Sequence, residues 1–165
     1  MSGQPPVLVI AVGNPSRGDD ALGPELAARL EAAAPPGVEV ITEFQLQVEN
    51  ALDLVGRERV VFVDAGTGTP APFDLHRTGP AAEFLHTSHA ISPEAVLATY
   101  EKITGSAAPE SWVLCVRGES FELGEPLSVA AAAHLEAAWS ELSRRLAKRS
   151  LRAEHGLRAT ATSDM

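Results

Sequence analysis

The feature that most constrains this chain is the run Val7-Leu8-Val9-Ile10-Ala11-Val12, closed by Gly13. Alternating apolar and polar residues mark a strand wet on one face, whereas an unbroken apolar run of strand length marks one covered on both. Such a strand belongs in the interior of a parallel sheet. A parallel sheet needs crossover connections, normally helices, that layer over both of its faces.

The rest of the chain supplies those parts. After the turn Asn14-Pro15-Ser16-Arg17-Gly18, Asp19-Asp20 can cap a helix whose Leu22, Leu26 and Leu30 recur at helical spacing. Pro24 fits because it falls in that helix's first turn, and Pro35-Pro36-Gly37 ends it. Val38-Glu39-Val40-Ile41 alternates more and reads as a second strand nearer the sheet edge. Val48, Ala51, Leu52 and Val55 mark a short amphipathic helix that Gly56 stops, before a third strand, Val60-Val61-Phe62-Val63, runs into Asp64-Ala65-Gly66. The stretch from Thr67 to His89 is rich in Gly, Pro and Thr and is expected to be a long functional loop, with an edge strand at Phe73-Asp74-Leu75-His76. Ser92-Pro93-Glu94 is a helix start, with Val96, Tyr100 and Ile103 as its buried stripe and Gly105 as its end. Trp112 to Val116 is a further strand, and Ser128 opens a last helix carrying Leu135, Trp139, Leu142 and Leu146. Strands alternating with helices in this way predict an α/β three-layer sandwich, a mostly parallel twisted sheet flanked by helices. Residues 1–149 are expected to form one domain, and 150–165 a disordered tail where the periodicity fades.

Composition removes several classes of function. The 165 residues suit one core, and the apolar runs are far shorter than the roughly 20 residues of a membrane span. Met1 to Pro6 has no basic segment ahead of the first strand, so the expected compartment is the cytoplasm. One cysteine, Cys115, allows neither an intrachain disulfide nor a multi-cysteine zinc site, and its apolar strand suits it to core packing. A formal charge of −9 disfavours a nucleic-acid partner; Arg144, Arg145, Lys148, Arg149 and Arg152 sit late in the last helix, where its dipole favours cations.

In open parallel sheets ligands gather outside the C-terminal ends of the strands. The first strand delivers Asp19 and Asp20 to that edge, and the third delivers Asp64. Gly13 and Gly18 have the spacing of a phosphate loop, but Asp19 stands where that loop requires lysine. Carboxylates converging on one place raise a pKa unless a cation or a shared proton relieves them. His86 and His89 precede the Ser92-Pro93 helix start, and either could close a site; His89 is the better anchored. Two carboxylates and an imidazole suit a divalent ion such as nickel or zinc and leave coordination positions open. Ser120 lacks the Gly-x-Ser-x-Gly elbow of a serine nucleophile.

The residues from Val7 to Gly23, V-L-V-I-A-V-G-N-P-S-R-G-D-D-A-L-G, resemble the opening signature of the hydrogenase maturation endopeptidases, a strand followed by G-N-x-x-x-x-D-[DE]-x-x-G. Val63-Asp64-Ala65 resembles that family's second signature, and His89 its third metal-contacting position. The resemblance covers about Val7 to Arg149. It implies that Asp20, Asp64 and His89 contact a metal, with Asp19 adjacent but not a ligand. It further implies an endopeptidase that trims the C-terminal extension of a nickel-iron hydrogenase large-subunit precursor after nickel insertion, recognising nickel that the substrate supplies. Where many members carry a Gly-Gly-Thr turn after the second strand, this chain has Thr42-Glu43-Phe44-Gln45-Leu46-Gln47, and Gly118 stands where proline is frequent. Peptidyl-tRNA hydrolases also open on a strand running into Gly-Asn-Pro, but have a histidine soon after it, whereas the first here is His76. A non-catalytic nickel carrier or docking module could use the same three residues.

Overall fold

A computed structural model describes residues 4–81 and 91–148. His86, His89, the end of the expected 67–89 loop and the expected tail at 150–165 lie outside those residues. Five strands, β1 (Val7–Val12), β2 (Val38–Glu43), β3 (Arg59–Gly66), β4 (Phe73–Thr78) and β5 (Glu110–Arg117), form one sheet in the order β2-β1-β3-β5-β4. All neighbours are parallel except β4, which pairs antiparallel with β5 at the edge. The α/β sandwich expected from the sequence is what forms.

Pleating divides the core in two. On one face, Val9, Ala11, Val61 and Val63 pack under α1 (Leu22–Ala33) and α3 (Val129–Leu146), meeting Leu22, Leu26, Leu30, Leu135 and Leu142. On the other, Leu8, Ile10, Val60 and Phe62 meet Leu54, Val96 and Leu97 from a 3₁₀ segment, Val48–Leu54, and from α2 (Pro93–Thr104). Because successive side chains alternate in direction, only a strand buried on both faces can feed two cores, which is why β1 carries no polar residue. Each fully buried leucine contributes about 1.5–3 kcal/mol relative to exposure.

Helix limits follow local chemistry. Ser92 caps α2 by accepting from the Ala95 N–H at 3.1 Å, and Pro93 occupies the first helical position. Gly105 closes α2 in the left-handed region, φ +73°. Ser128 caps α3 by accepting from the Ala131 N–H.

Three expectations change. The residues after β2 coil as a 3₁₀ rather than an α-helix: Ala51 and Leu54, one three-residue turn apart, point inward, while Val48, Leu52 and Val55 face solvent, Leu52 at 60% exposure. Asn50 fixes that register: it is buried, its Oδ1 accepts from the Gln47 N–H, and its Nδ2 donates to Glu43 and Asp53. In α2, burial is confined to Ala95, Val96 and Leu97 with Tyr100 half covered, so Ile103, in the last turn, is 57% exposed. Finally, Asp19 and Asp20 do not cap α1. A 3₁₀ turn, Gly18–Ala21, intervenes, and α1 starts with no side-chain cap.

Candidate active site

In this strand order the chain leaves β1 toward β2 on one side and reaches β3 on the other, so the topological switch point lies between β1 and β3. Asp20 follows β1 and Asp64 lies near the end of β3, so the two carboxylates flank that point.

The turn between β1 and Asp20 is shaped by glycine. Gly13 has φ +151°, and a Cβ there would lie 2.0 Å from the Asp20 carbonyl oxygen, so only glycine lets the turn close so tightly. The Asn14 side chain accepts from the Ser16 N–H at 2.8 Å, and the Asn14 N–H donates to Asp20 Oδ2 at 2.7 Å. That second bond fixes the Asp20 carboxylate relative to the strand end.

Asp64 is held more loosely, accepting at 2.7 Å from the adjacent Ala65 N–H. Its side chain reaches solvent, yet protein surrounds it closely, and loss of hydration pushes its pKa up to about 6. The Ala65 N–H opposes that rise, and the Asp20 charge adds to it, which brings the two acids within electrostatic reach. Cys115 and Asp74 pair in register beside Asp64 across β5 and β4. Cys115 is half-buried rather than a core residue; its Sγ lies 3.0 Å from Thr69 Oγ1, and burial pushes its thiol pKa up, away from a nucleophilic thiolate.

Among the described residues no group of three or more His, Cys, Asp and Glu side chains is placed to hold a metal ion. Of the three residues expected to contact a metal, Asp20 and Asp64 lie among the described residues and His89 lies outside them. Asp19 points elsewhere and is completely buried. Its carboxylate accepts from the N–H groups of Glu119 (2.7 Å), Ser120 (3.1 Å) and Ser128 (2.7 Å) and from the Ser128 hydroxyl (2.8 Å). Burial works to raise its pKa, and the hydrogen bonds outweigh burial, so the group lies below the usual carboxylate value.

Glu43 was not singled out in the sequence. It closes β2 at the same edge and lines, with Gly13, Pro15, Pro24, Thr42 and Phe44, a cavity of ≈ 360 Å³ beside the Asp20 loop. The strand-end rule that selects Asp64 selects Glu43 when applied to β2.

No family model matches the chain, and no curated protein matches its sequence. Solved structures do match. The hydrogenase maturating endopeptidase HybD from E. coli superposes with a TM-score of 0.66 at 24% identity, over 85% of this chain and 91% of that one. The fold is that of the hydrogenase maturation endopeptidases. The [NiFe] hydrogenase maturation protease HycI from Thermococcus kodakarensis gives a TM-score of 0.66 at 22% identity, over 89% of this chain and 96% of that one. The hydrogenase 2 maturation peptidase from a Thaumarchaeota archaeon gives 0.60 at 23%, over 85% and 97%. The likeness noted in the opening signature therefore extends to the whole endopeptidase fold.

Proposed function

We propose that this chain is a cytoplasmic hydrogenase maturation endopeptidase. It removes the C-terminal extension of a nickel-iron hydrogenase large-subunit precursor after nickel insertion, and Asp20, Asp64 and His89 contact the nickel that the substrate brings. The observation that carries this function is the Asp20–Asp64 pair. Two carboxylates from adjacent parallel strands lie at a switch point, near enough for one to raise the pKa of the other, in the fold of known peptidases of this kind.

The donor chemistry fits a borderline divalent ion, with two carboxylate oxygens from the described residues and an imidazole from His89. Nickel arriving in the precursor would supply a Lewis acid at the scissile carbonyl or an acidified water. The chain's own residues do the rest. Asp20, braced by the Asn14 N–H, presents a fixed oxygen donor. Alternatively, where the ion only positions the bond, Asp64, whose carboxyl is raised to about 6 without the ion, is the group to take a proton from an attacking water and return it to the leaving amine. Glu43 and Phe44, in the segment that replaces the Gly-Gly-Thr turn, border the path a peptide would take through the ≈ 360 Å³ cavity.

The test is incubation with nickel-loaded large-subunit precursors, read by mass spectrometry for loss of a C-terminal peptide. Intact precursors across several plausible large subunits would refute the peptidase function. Calorimetric titration of the protein alone with nickel separates a carrier from a peptidase. A carrier must hold the ion unaided, whereas a peptidase binds weakly until the metallated precursor adds its own ligands.

A further inference from the structure

The feature that the proposed chemistry leaves unused is the buried Asp19. Although it belongs to the first signature, every hydrogen-bond donor to its carboxylate among the described residues lies far along the chain. Its donors belong to the loop that links β5 to α3 and to the first residue of that helix's cap. Ser128 is the pivot: its hydroxyl proton goes to Asp19 Oδ2, while its oxygen accepts from the Ala131 N–H and starts α3. The backbone repeats the attachment. The Asp19 N–H donates to the Ser120 carbonyl at 2.8 Å, the Gly18 N–H to the Glu125 carbonyl at 3.1 Å, and the Gly124 N–H to the Ser16 carbonyl at 2.7 Å. Gly18 is pressed so close that a Cβ would lie 2.5 Å from the Ser120 carbonyl oxygen.

We infer that Asp19 and Ser128 form a clasp that locks the 14–20 turn onto the 118–128 loop, and that Asp19 is thereby the positioning residue for Asp20. This inference rests on Asp20 being a site residue, as proposed above. Residues 19 and 20 share a peptide unit, and because Asp19 is bonded to the 118–128 loop through both its N–H and its carboxylate, the backbone from which Asp20 projects is held at that residue. Without the clasp the turn keeps its backbone bonds to that loop and the Asn14 bond to Asp20, but it loses the bonds made by the Asp19 carboxylate, so the stretch that carries Asp20 samples more orientations. Positioning of this kind affects the rate more than binding, because a displaced donor still meets the substrate but misses the reacting geometry.

The test uses the full chain and five variants: Asp19→Asn, Ser128→Ala, Ser128→Thr, Asp20→Ala as the reference for a lost Asn14 bond and, as a destabilised control in the helix that Ser128 caps, Leu142→Ala. The first readout is the Asn14 amide, whose proton is bonded to Asp20. In Asp19→Asn and Ser128→Ala its NMR shift is expected to move toward that of Asp20→Ala, with exchange faster by about tenfold. It should recover in Ser128→Thr, which keeps the hydroxyl, and stay put in Leu142→Ala. The second readout is precursor processing, where Ser128→Ala should lower kcat about tenfold with KM within about twofold, and Ser128→Thr should restore it. An Asn14 amide unchanged in Ser128→Ala overturns the clasp, even if Asp19→Asn proves too unstable to study. A responsive amide in a protein that cleaves no precursor refutes the peptidase function and leaves the clasp standing. An insensitive amide in an active protease does the reverse.

Discussion

Two neighbouring residues, Asp19 and Asp20, place the same chemical group in opposite surroundings. Asp19 is fully buried, with its oxygens occupied by three backbone N–H donors and a hydroxyl, and its pKa is lowered. Among the described residues Asp20 takes one backbone donor, and it lies within electrostatic reach of Asp64, whose own carboxyl is pushed upward. A carboxylate saturated with donors is a structural part. Carboxylates left short of donors and close together at a sheet edge are free to meet a cation and to move a proton. The clasp and the proposed Asp20–Asp64 cleft therefore have different jobs, although Asp19 and Asp20 are adjacent in one turn.

The sharpest way to break that comparison is to substitute across it. Asp20→Asn, Asp64→Asn and His89→Ala should each lower precursor processing by about 10³-fold, in the range for loss of a reacting acid or base, while thermal unfolding stays near wild type. Processing by all three at the wild-type rate would mean that the cleft is elsewhere. Asp19→Ala should do the opposite, costing roughly 3 kcal/mol of stability, because it strands several buried donors at once. Chemical denaturation measures it, and a loss below about 1 kcal/mol, the value of an ordinary helix cap, would reduce the clasp to a cap. Gly118→Ala should fall between. A Cβ at Gly118 would sit 2.8 Å from the Phe121 ring and 3.0 Å from Asp19 Cβ, so we expect a loss of about 1–2 kcal/mol as the ring gives way. The same denaturation curves decide it, and an unchanged midpoint would show that the loop yields freely.

Much of this division was legible in the sequence, and the exceptions have physical causes. Apolar runs reveal parallel strands because burial on both faces leaves no room for polar residues, so β1, β3 and β5 were readable within a residue or two. The expectation that Asp20 and Asp64 share one edge of the sheet rested on the strand-end rule and on the opening signature. The role of Asp19 was not legible, since its donors are 100, 101 and 109 residues away and two of the three residues that provide them do so only through backbone N–H groups, which almost any residue carries. The helix after β2 was misread because Val48, Leu52 and Val55 match an α-helical stripe, and nothing local shows that Asn50 will hold the chain in a 3₁₀ register. Short segments leave the period to be decided by tertiary contacts.

The smallest expected effect is also the one that tests the cleft without a substrate. Asp64 titrates near 6 in the folded chain against 3.8 when exposed, so between those values the native state holds more protons than the unfolded state. Unfolding stability must then fall as pH rises through that window and stay reduced above it. Asp19 acts in the other direction: its lowered pKa gives stability that is present above the ordinary carboxylate range and lost as pH falls below it. Because the Asp64 side chain reaches solvent, screening makes its share modest. Thermal unfolding of wild type and Asp64→Asn, compared from pH 4 to about 7, isolates it. The variant should gain on the wild type as pH rises, and the gap should narrow in Asp20→Asn, which removes the neighbouring charge. Parallel curves for the two proteins would mean that Asp64 sits in ordinary solvent, and the contrast between a saturated and a starved carboxylate would lose its second half.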